Sequence, residues 1–171
     1  MENFTNETID TSNLPRYEEV QLTKLHPSYW KEVLVSKGLL LFLIGIAVTL
    51  GLIFIEELAD DKLLVVSIYV LFVLVFLFFS YVAFKKKAYA FRNHDVIFRS
   101  GIIATNTMVI PYNRVQHVAL HEGFIARFFG LAKVEIFTAG GVSSDLEIPG
   151  IAKEEAENIK QLLMGKIQKQ L

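Results

Sequence analysis

Two long stretches of the chain carry no charged side chain, and they limit its possible folds more than any other feature. They run from Gly38 to Ile55 and from Leu63 to Phe84. As helices that rise ~1.5 Å per residue, they would span roughly 27 and 33 Å, which matches the hydrocarbon core of a bilayer. A soluble domain of this size could not cover both on every side. We therefore predict two transmembrane helices, the first extended into the headgroups by the segment from Ser28, with Tyr29 and Trp30 in an aromatic belt.

The flanks of these stretches predict how they lie in the membrane. Only a short acidic segment, 56–62, separates them, so they are expected to form an antiparallel hairpin. The other ends are basic, with Lys31 and Lys37, whose side chains are expected to extend toward the headgroups, before the first stretch, and with Lys85–Lys87 after the second. Positive charge favours the cytoplasmic side. The sequence thus predicts a multi-pass protein of the plasma (inner) membrane with both termini in the cytoplasm.

The chain divides into three parts on this pattern. Residues 1–27 are polar without a sustained period, which predicts a mobile cytoplasmic tail that extends to about Leu25. Residues 28–87 form the hairpin. Residues 88–171 change to short alternating segments with turn residues between them, which predicts a cytoplasmic antiparallel sandwich or small barrel.

Within the third part, the segment 132–138 alternates most clearly between apolar and polar residues. Ala139–Gly141 follows, and its glycines supply the positive φ that a hairpin loop needs. A short turn of helix is expected to end at Gly130. Residues 151–171 predict an amphipathic helix, acidic at its start and basic at its end, that packs its apolar stripe on the sheet.

A search for chemistry finds no constellation of catalytic residues. The chain lacks a phosphate loop and a nucleophile elbow, and it has no cysteine. His117 and His121 are four residues apart, but their surroundings are strand-like and no third ligand is evident. The net charge of −1 gives no reason to expect nucleic acid. We predict that the protein is not an enzyme and has no metal, no cofactor and no nucleic-acid partner.

Five short elements follow one another in a distinctive order. They are LHPS at 25–28, YAFRNHDVIFRSG at 89–101, IPYNRVQ at 110–116, RFFG at 127–130 and TAGG at 138–141. In this order they resemble the bacterial PH-domain membrane proteins of the YdbS-like type. The resemblance runs from about Leu25 to Leu163.

The resemblance implies a PH-like α+β module after the transmembrane hairpin: a bent antiparallel β-barrel or sandwich capped by a C-terminal helix. It makes Arg114, Gln116 and Arg127 family positions, which we take as candidate binding residues. It supplies no catalytic residue. Larger relatives in the family carry repeated modules and more membrane spans.

Two functions are favoured over a distant third, an enzyme or an accessory to envelope transport. The first is a membrane-tethered interaction module that binds a membrane-protein partner, such as a larger member of the family. The alternative is binding of anionic lipid headgroups by the module's basic residues and the juxtamembrane lysines Lys85, Lys86 and Lys87. The link from Phe84 to Tyr89 is short, so the module must lie against the bilayer, where headgroups are concentrated.

Overall fold

The fold is known from a computed structural model, which describes residues 8, 17–56, 60–139 and 145–168. Three features of the sequence analysis lie wholly or partly outside these residues. They are most of the polar tail, the tip of the acidic loop, and the glycines of the predicted hairpin loop at 139–141.

Two long helices form the first part of the structure, as predicted. Helix α1 spans Ser28–Phe54 and helix α2 spans Lys62–Lys86, and both are long and apolar enough to cross a membrane. Helix α1 begins at Ser28, ahead of the charge-free stretch, because the segment 28–37 belongs to the same helix. Most of their large apolar side chains are exposed on the molecule's surface, which a bilayer accommodates and water does not.

Specific polar contacts join the two helices. The Tyr69 hydroxyl donates to the Leu41 carbonyl at 2.7 Å, and a Cβ on Gly45 would lie 2.9 Å from that hydroxyl. The Lys37 ammonium donates to Ser80 Oγ at 2.7 Å. We expected Lys37 to extend toward the headgroups, but it lies between the helices because Ser80 offers it an acceptor there.

Seven strands and two helices make up the module. The strands are β1 (Thr23–Lys24), β2 (Ala88–Phe91), β3 (Asp95–Ser100), β4 (Asn106–Pro111), β5 (Val115–His121), β6 (Leu131–Thr138) and β7 (Leu146–Ala152), with helices α3 (Phe124–Phe128) and α4 (Lys153–Gln168). One antiparallel sheet has the order β1-β2-β3-β4 and the other β5-β6-β7. Between the described strands the two sheets do not close into a barrel.

The core lies where the inner faces of the two sheets meet helix α4. Val96 from the first sheet belongs to the same buried cluster as Val134 and Ile136 from the second. Helix α4 adds a buried stripe: Ala156, Ile159 and Leu163. The predicted alternation of β6 and the predicted packing of the last helix are confirmed. The PH-like architecture of sheets capped by a C-terminal helix therefore follows the apolar periodicity.

The predicted tail is wrong at its C-terminal end. Thr23 pairs with Tyr89 and Lys24 with Ala88, so β1 is the edge strand of the first sheet. Leu25 is buried in the core. A two-residue strand has too few positions to show alternation, and only its partner, more than sixty residues away in the chain, makes it a strand.

The last helix also begins later than expected. It starts at Lys153, because Ile151 belongs to β7 and is buried in the core. Gly150, just before it, has a φ of +65°. Short apolar runs do not distinguish a strand from a first helical turn.

Candidate functional site: the junction between the helices and the module

The chain passes twice between the helical hairpin and the module, and the first passage is fixed to β7. The His26 amide donates to the Gly150 carbonyl at 2.9 Å. The Tyr29 ring lies directly over Gly150, so that a Cβ on this glycine would collide with the ring. Only glycine fits here, because the position combines a left-handed φ with this close approach. The start of α1 is therefore locked to the module.

The second passage, at the end of α2, carries its own contacts. The Lys86 ammonium donates to the Ile102 carbonyl in the turn between β3 and β4, at 2.7 Å. The Lys24 ammonium of β1 donates to the Lys85 carbonyl in the last turn of α2 at 3.3 Å. Together with the Gly150 contacts, these bonds hold the module against the end of the hairpin rather than on a free linker.

A cleft of about 530 Å³ opens at this junction, between the start of α1, helix α3 and both sheets. Its charged lining residues are two acids and two lysines: Glu32, Glu147, Lys87 and Lys133. Lys133 bridges Glu135 at 2.6 Å and Glu147 at 3.0 Å, and its hydrogen bond to Glu135 raises its pKa. Burial lowers the pKa of Lys87. The cleft thus balances its charges internally and offers no excess of positive charge to an anion.

A second groove, of about 390 Å³, lies on the outer side of the junction. Its aromatic wall is Trp30, 5.1 Å from the Tyr81 ring and 5.9 Å from the Phe84 ring. Lys24 and Lys85 line its rim, and the Lys85 ammonium lies 5.5 Å from the centre of the Tyr81 ring. Aromatic rings and lysines at the end of apolar helices are typical of the membrane–water interface.

The three juxtamembrane lysines separate in the structure. Lys85 lines the aromatic groove, Lys86 bonds to the turn after β3, and Lys87 enters the junction cleft, 5.8 Å from the Tyr29 ring centre. They diverge because α2 ends at Lys86 and the chain turns extended at Lys87. They do not form a single basic patch.

The candidate residues Arg127 and Arg114 lie at opposite ends of the module. Arg127 is on α3, which contacts α1 at the junction. Its guanidinium is 3.9 Å from Glu122, whose other oxygen binds Lys153 at 2.9 Å and whose pKa that lysine lowers. Arg114 ends the 3₁₀ turn between β4 and β5, at the far end of β4 from the Lys86 contact.

Gln116 lies close to Arg114 in the chain, on β5, where the register with β6 shifts between Val115 and His117. The predicted binding residues therefore form two groups. Arg127 is near the hairpin, and Arg114 and Gln116 follow the distal end of the edge strand β4.

The outer edge of β4 is open among the described strands, since β4 pairs only with β3. A groove of about 340 Å³ runs beside residues 108–111 and reaches Arg114, Thr138 and Asp145. The Asp145 carboxylate accepts from the Thr138 hydroxyl and amide, and these bonds lower its pKa. A six-residue edge with unpaired backbone groups can accept another strand.

The two spaced histidines have different surroundings. The His117 ring stacks on Phe137 at 4.1 Å, and His121 lines the junction cleft. Across the part of the chain that the structure describes, His, Asp and Glu side chains form no group of three that could hold a metal.

Sequence reasoning missed the junction itself. Tyr29 was assigned to an aromatic belt, but it packs on Gly150, and Trp30 forms the aromatic wall of the second groove. The Pro149–Gly150 pair is a turn signal that could have pointed to the special backbone. Nothing in the local pattern pointed to its partner on α1.

Comparisons with known proteins agree with this architecture. A family model described as "Bacterial PH domain" matches residues 37–167. The chain is 35% identical over 72 residues to "UPF0699 transmembrane protein YdbS" of Bacillus subtilis (strain 168), covering 42% of this chain and 43% of that protein. It is 32% identical over 85 residues to "UPF0699 transmembrane protein YdbT" of the same organism, covering 48% of this chain and 17% of that protein. The match thus spans less than half of either relative, and no solved structure matches significantly.

Proposed function

The chain belongs to the bacterial PH domain family, and we propose that its module is held at the cytoplasmic face of the membrane to bind a membrane-protein partner. The family match, two relatives that are named as transmembrane proteins and the two apolar helices support a PH-like module in a membrane protein. We assign the module no catalytic activity. The observation that carries the proposal of a protein partner is the open edge of β4.

Strand addition is the binding mode that this edge supports. An extended peptide would pair with the backbone of Asn106–Pro111, and the groove beside it would take alternate side chains. Arg114, at the end of the groove, would pair with an acidic side chain of the added strand. The partner we propose is a larger member of the family. Such members exist, because an alignment over 48% of this chain covers only 17% of YdbT.

A photo-crosslinking residue at Val109 tests this proposal in cells that co-express a larger bacterial PH domain protein from the same source. We expect a crosslink between the two chains from Val109, and none from Leu162, an exposed apolar residue on α4. Arg114→Glu should weaken the crosslink, and Arg127→Glu, at the other end of the module, should not. Equal crosslinking from both positions, or none from Val109, contradicts binding at β4.

We also propose the side of the membrane on which the module lies. Because β1 precedes the hairpin and β2 follows it in one sheet, the chain must be on the same side of the membrane before α1 and after α2. We place that side in the cytoplasm on the basic flanks. An impermeant maleimide should label Asp60→Cys in intact cells and leave Asn106→Cys unlabelled until the cells are opened. The reverse pattern would place the module outside.

The aromatic groove favours a second candidate function, the binding of an anionic headgroup. Two lysines, Lys24 and Lys85, face one groove with an aromatic wall at the level where headgroups lie. The full chain, released from nanodiscs of mixed phosphatidylcholine and phosphatidylglycerol, should retain phosphatidylglycerol in native mass spectrometry. Lys24→Gln with Lys85→Gln should lose it, whereas Lys31→Gln, an exposed lysine outside the groove, should keep it. Equal retention in all variants excludes the groove as a headgroup site.

A further inference from the structure

The three most exposed large apolar side chains of the described module all lie at its end nearest the hairpin. They are Phe124, Phe128 and Ile103, which are 79%, 75% and 95% exposed. We propose that these three side chains insert into the bilayer and give the module a second membrane anchor beside the hairpin. The inference rests on the attachment of the module to the apolar helices, and it does not depend on the partner proposed above.

The two phenylalanines form one apolar tip on α3. Their spacing of four residues places them on one face of the helix, and their rings meet edge to face at 5.2 Å. The opposite face carries the buried Ala126, which lines the junction cleft together with Tyr29 and Glu32 of α1. The tip therefore lies beside α1 just before its charge-free stretch begins, at the depth of the membrane surface.

Ile103 forms the other tip, in the turn between β3 and β4. The neighbouring carbonyl of Ile102 accepts a hydrogen bond from Lys86, the last residue of α2. Gly101, with a φ of +117°, begins the turn that presents Ile103. One apolar tip thus lies next to α1 and the other next to the end of α2.

The charge between the phenylalanines also suits a lipid surface. Arg127 is 74% exposed, and its nearest acid, Glu122, is already bound more closely by Lys153. A guanidinium that flanks two inserted rings can reach lipid phosphates while its methylene stem stays among the tails. This gives the predicted binding residue Arg127 a role in the same anchor.

A bilayer is the occupant we favour over a second copy of the chain. The hairpin brings the membrane surface to these side chains in every molecule, and the Gly150 and Lys86 contacts hold the module there. Both tips and the exposed apolar side chains of the helices then contact the same bilayer. A second copy would have to cover two tips that lie beside different helices.

The absence of cysteine in the native chain makes the test direct. The full chain is reconstituted in vesicles with a polarity-sensitive fluorophore on Phe128→Cys, on Ile103→Cys or, as control, on Leu162→Cys. Leu162 is an exposed apolar residue on the second half of α4, whose Lys166 reaches the distal β2–β3 turn at Asn93. We expect blue-shifted emission at positions 128 and 103, with several-fold stronger quenching by lipids brominated in the upper acyl chain than at position 162.

The fluorescence experiment distinguishes insertion of the tips from exposure to water and from contact between copies of the chain. Water-like, unquenched emission at position 128 or 103 overturns insertion of that tip. A blue shift without quenching by brominated lipid, growing with the protein-to-lipid ratio, shows contact between copies and also overturns the proposal. Phe124→Ser with Phe128→Ser should reduce quenching at position 103 if both tips share one anchor. Unchanged quenching there contradicts a shared anchor.

Discussion

The hairpin and the module use the same apolar residues in opposite ways. In the module, Ile, Val and Leu side chains form a closed core between two sheets and α4. In the hairpin, the same residue types mostly face outward, and the helices meet through a tyrosine, a lysine and a serine. The module is stabilised by removing apolar surface from water, whereas two helices in lipid gain little from that effect and depend on close packing and hydrogen bonds.

The difference is clearest if one substitution is made in both regions. Ile136→Ala removes a fully buried side chain from β6 and should destabilise the module by about 2–5 kcal/mol. Ile68→Ala removes a side chain that is 59% exposed on α2 and should cost less than about 0.5 kcal/mol. Urea unfolding in mild detergent measures both. Equal losses would mean that the two regions are stabilised in the same way.

The junction between the hairpin and the module can be tested at two glycines with nearly the same φ angle. Gly130 and Gly150 have φ values of +63° and +65°, so alanine should cost about 1–2 kcal/mol of backbone strain at either. Only Gly150 lies against the Tyr29 ring, which should add about 1–3 kcal/mol. Thermal unfolding compares the two variants.

The fluorescence of Trp30, the chain's one tryptophan, is a probe of the same junction. This fluorescence should change in Gly150→Ala and stay as in the native protein in Gly130→Ala. Identical behaviour of the two variants would show that the start of α1 is not locked to β7.

Loss of a polar contact between the helices should cost less free energy than the substitutions at Ile136 and Gly150. Ser80→Ala removes the acceptor of Lys37 from the partner helix and should weaken helix association by about 0.6–1.7 kcal/mol. Ser67→Ala removes a bond to Leu63 within one helix and serves as the control. Unfolding of the hairpin in mixed micelles compares the two. If Ser67→Ala costs as much, the bond between the helices is not what joins them.

As the pH falls, the module should lose stability at a higher pH than the hairpin does. Bonds from Thr138 lower the pKa of Asp145 below its ordinary 3.8, so the folded module favours the carboxylate. That stabilisation is complete well above the ordinary value of 3.8 and is lost as the pH falls through the lowered value. The module's melting temperature should drop in this range and drop less in Asp145→Asn, while the helical signal of the hairpin persists. An identical acid profile in the variant would contradict this role.

The hairpin and most strands could be predicted because each follows from a local rule. Lipid tolerates no unpaired charge, so the two charge-free stretches mark α1 and α2. A half-buried strand alternates, so β6 was evident. What failed depends on distant partners: β1 exists only through β2, and Lys37 points inward only because Ser80 lies opposite.

The candidate sites were harder to predict for the same reason. Lys85, Lys86 and Lys87 are adjacent in the chain but lie in three different places, because a helix turns each residue about the axis and then ends. Phe124 and Phe128 read as ordinary apolar residues of a short helix, and only the contact between α3 and α1 places them beside the start of the hairpin.

The pairing of β1 with β2 also has a consequence for synthesis of the protein. The residues of β1 leave the ribosome before both helices, and their partner strand β2 emerges only after the helices have been synthesised. The membrane segment is in effect an insertion within the module. Completion of the first sheet thus requires that the two helices cross together, because a chain in which one helix crossed and the other did not would hold β1 and β2 on opposite sides of the membrane.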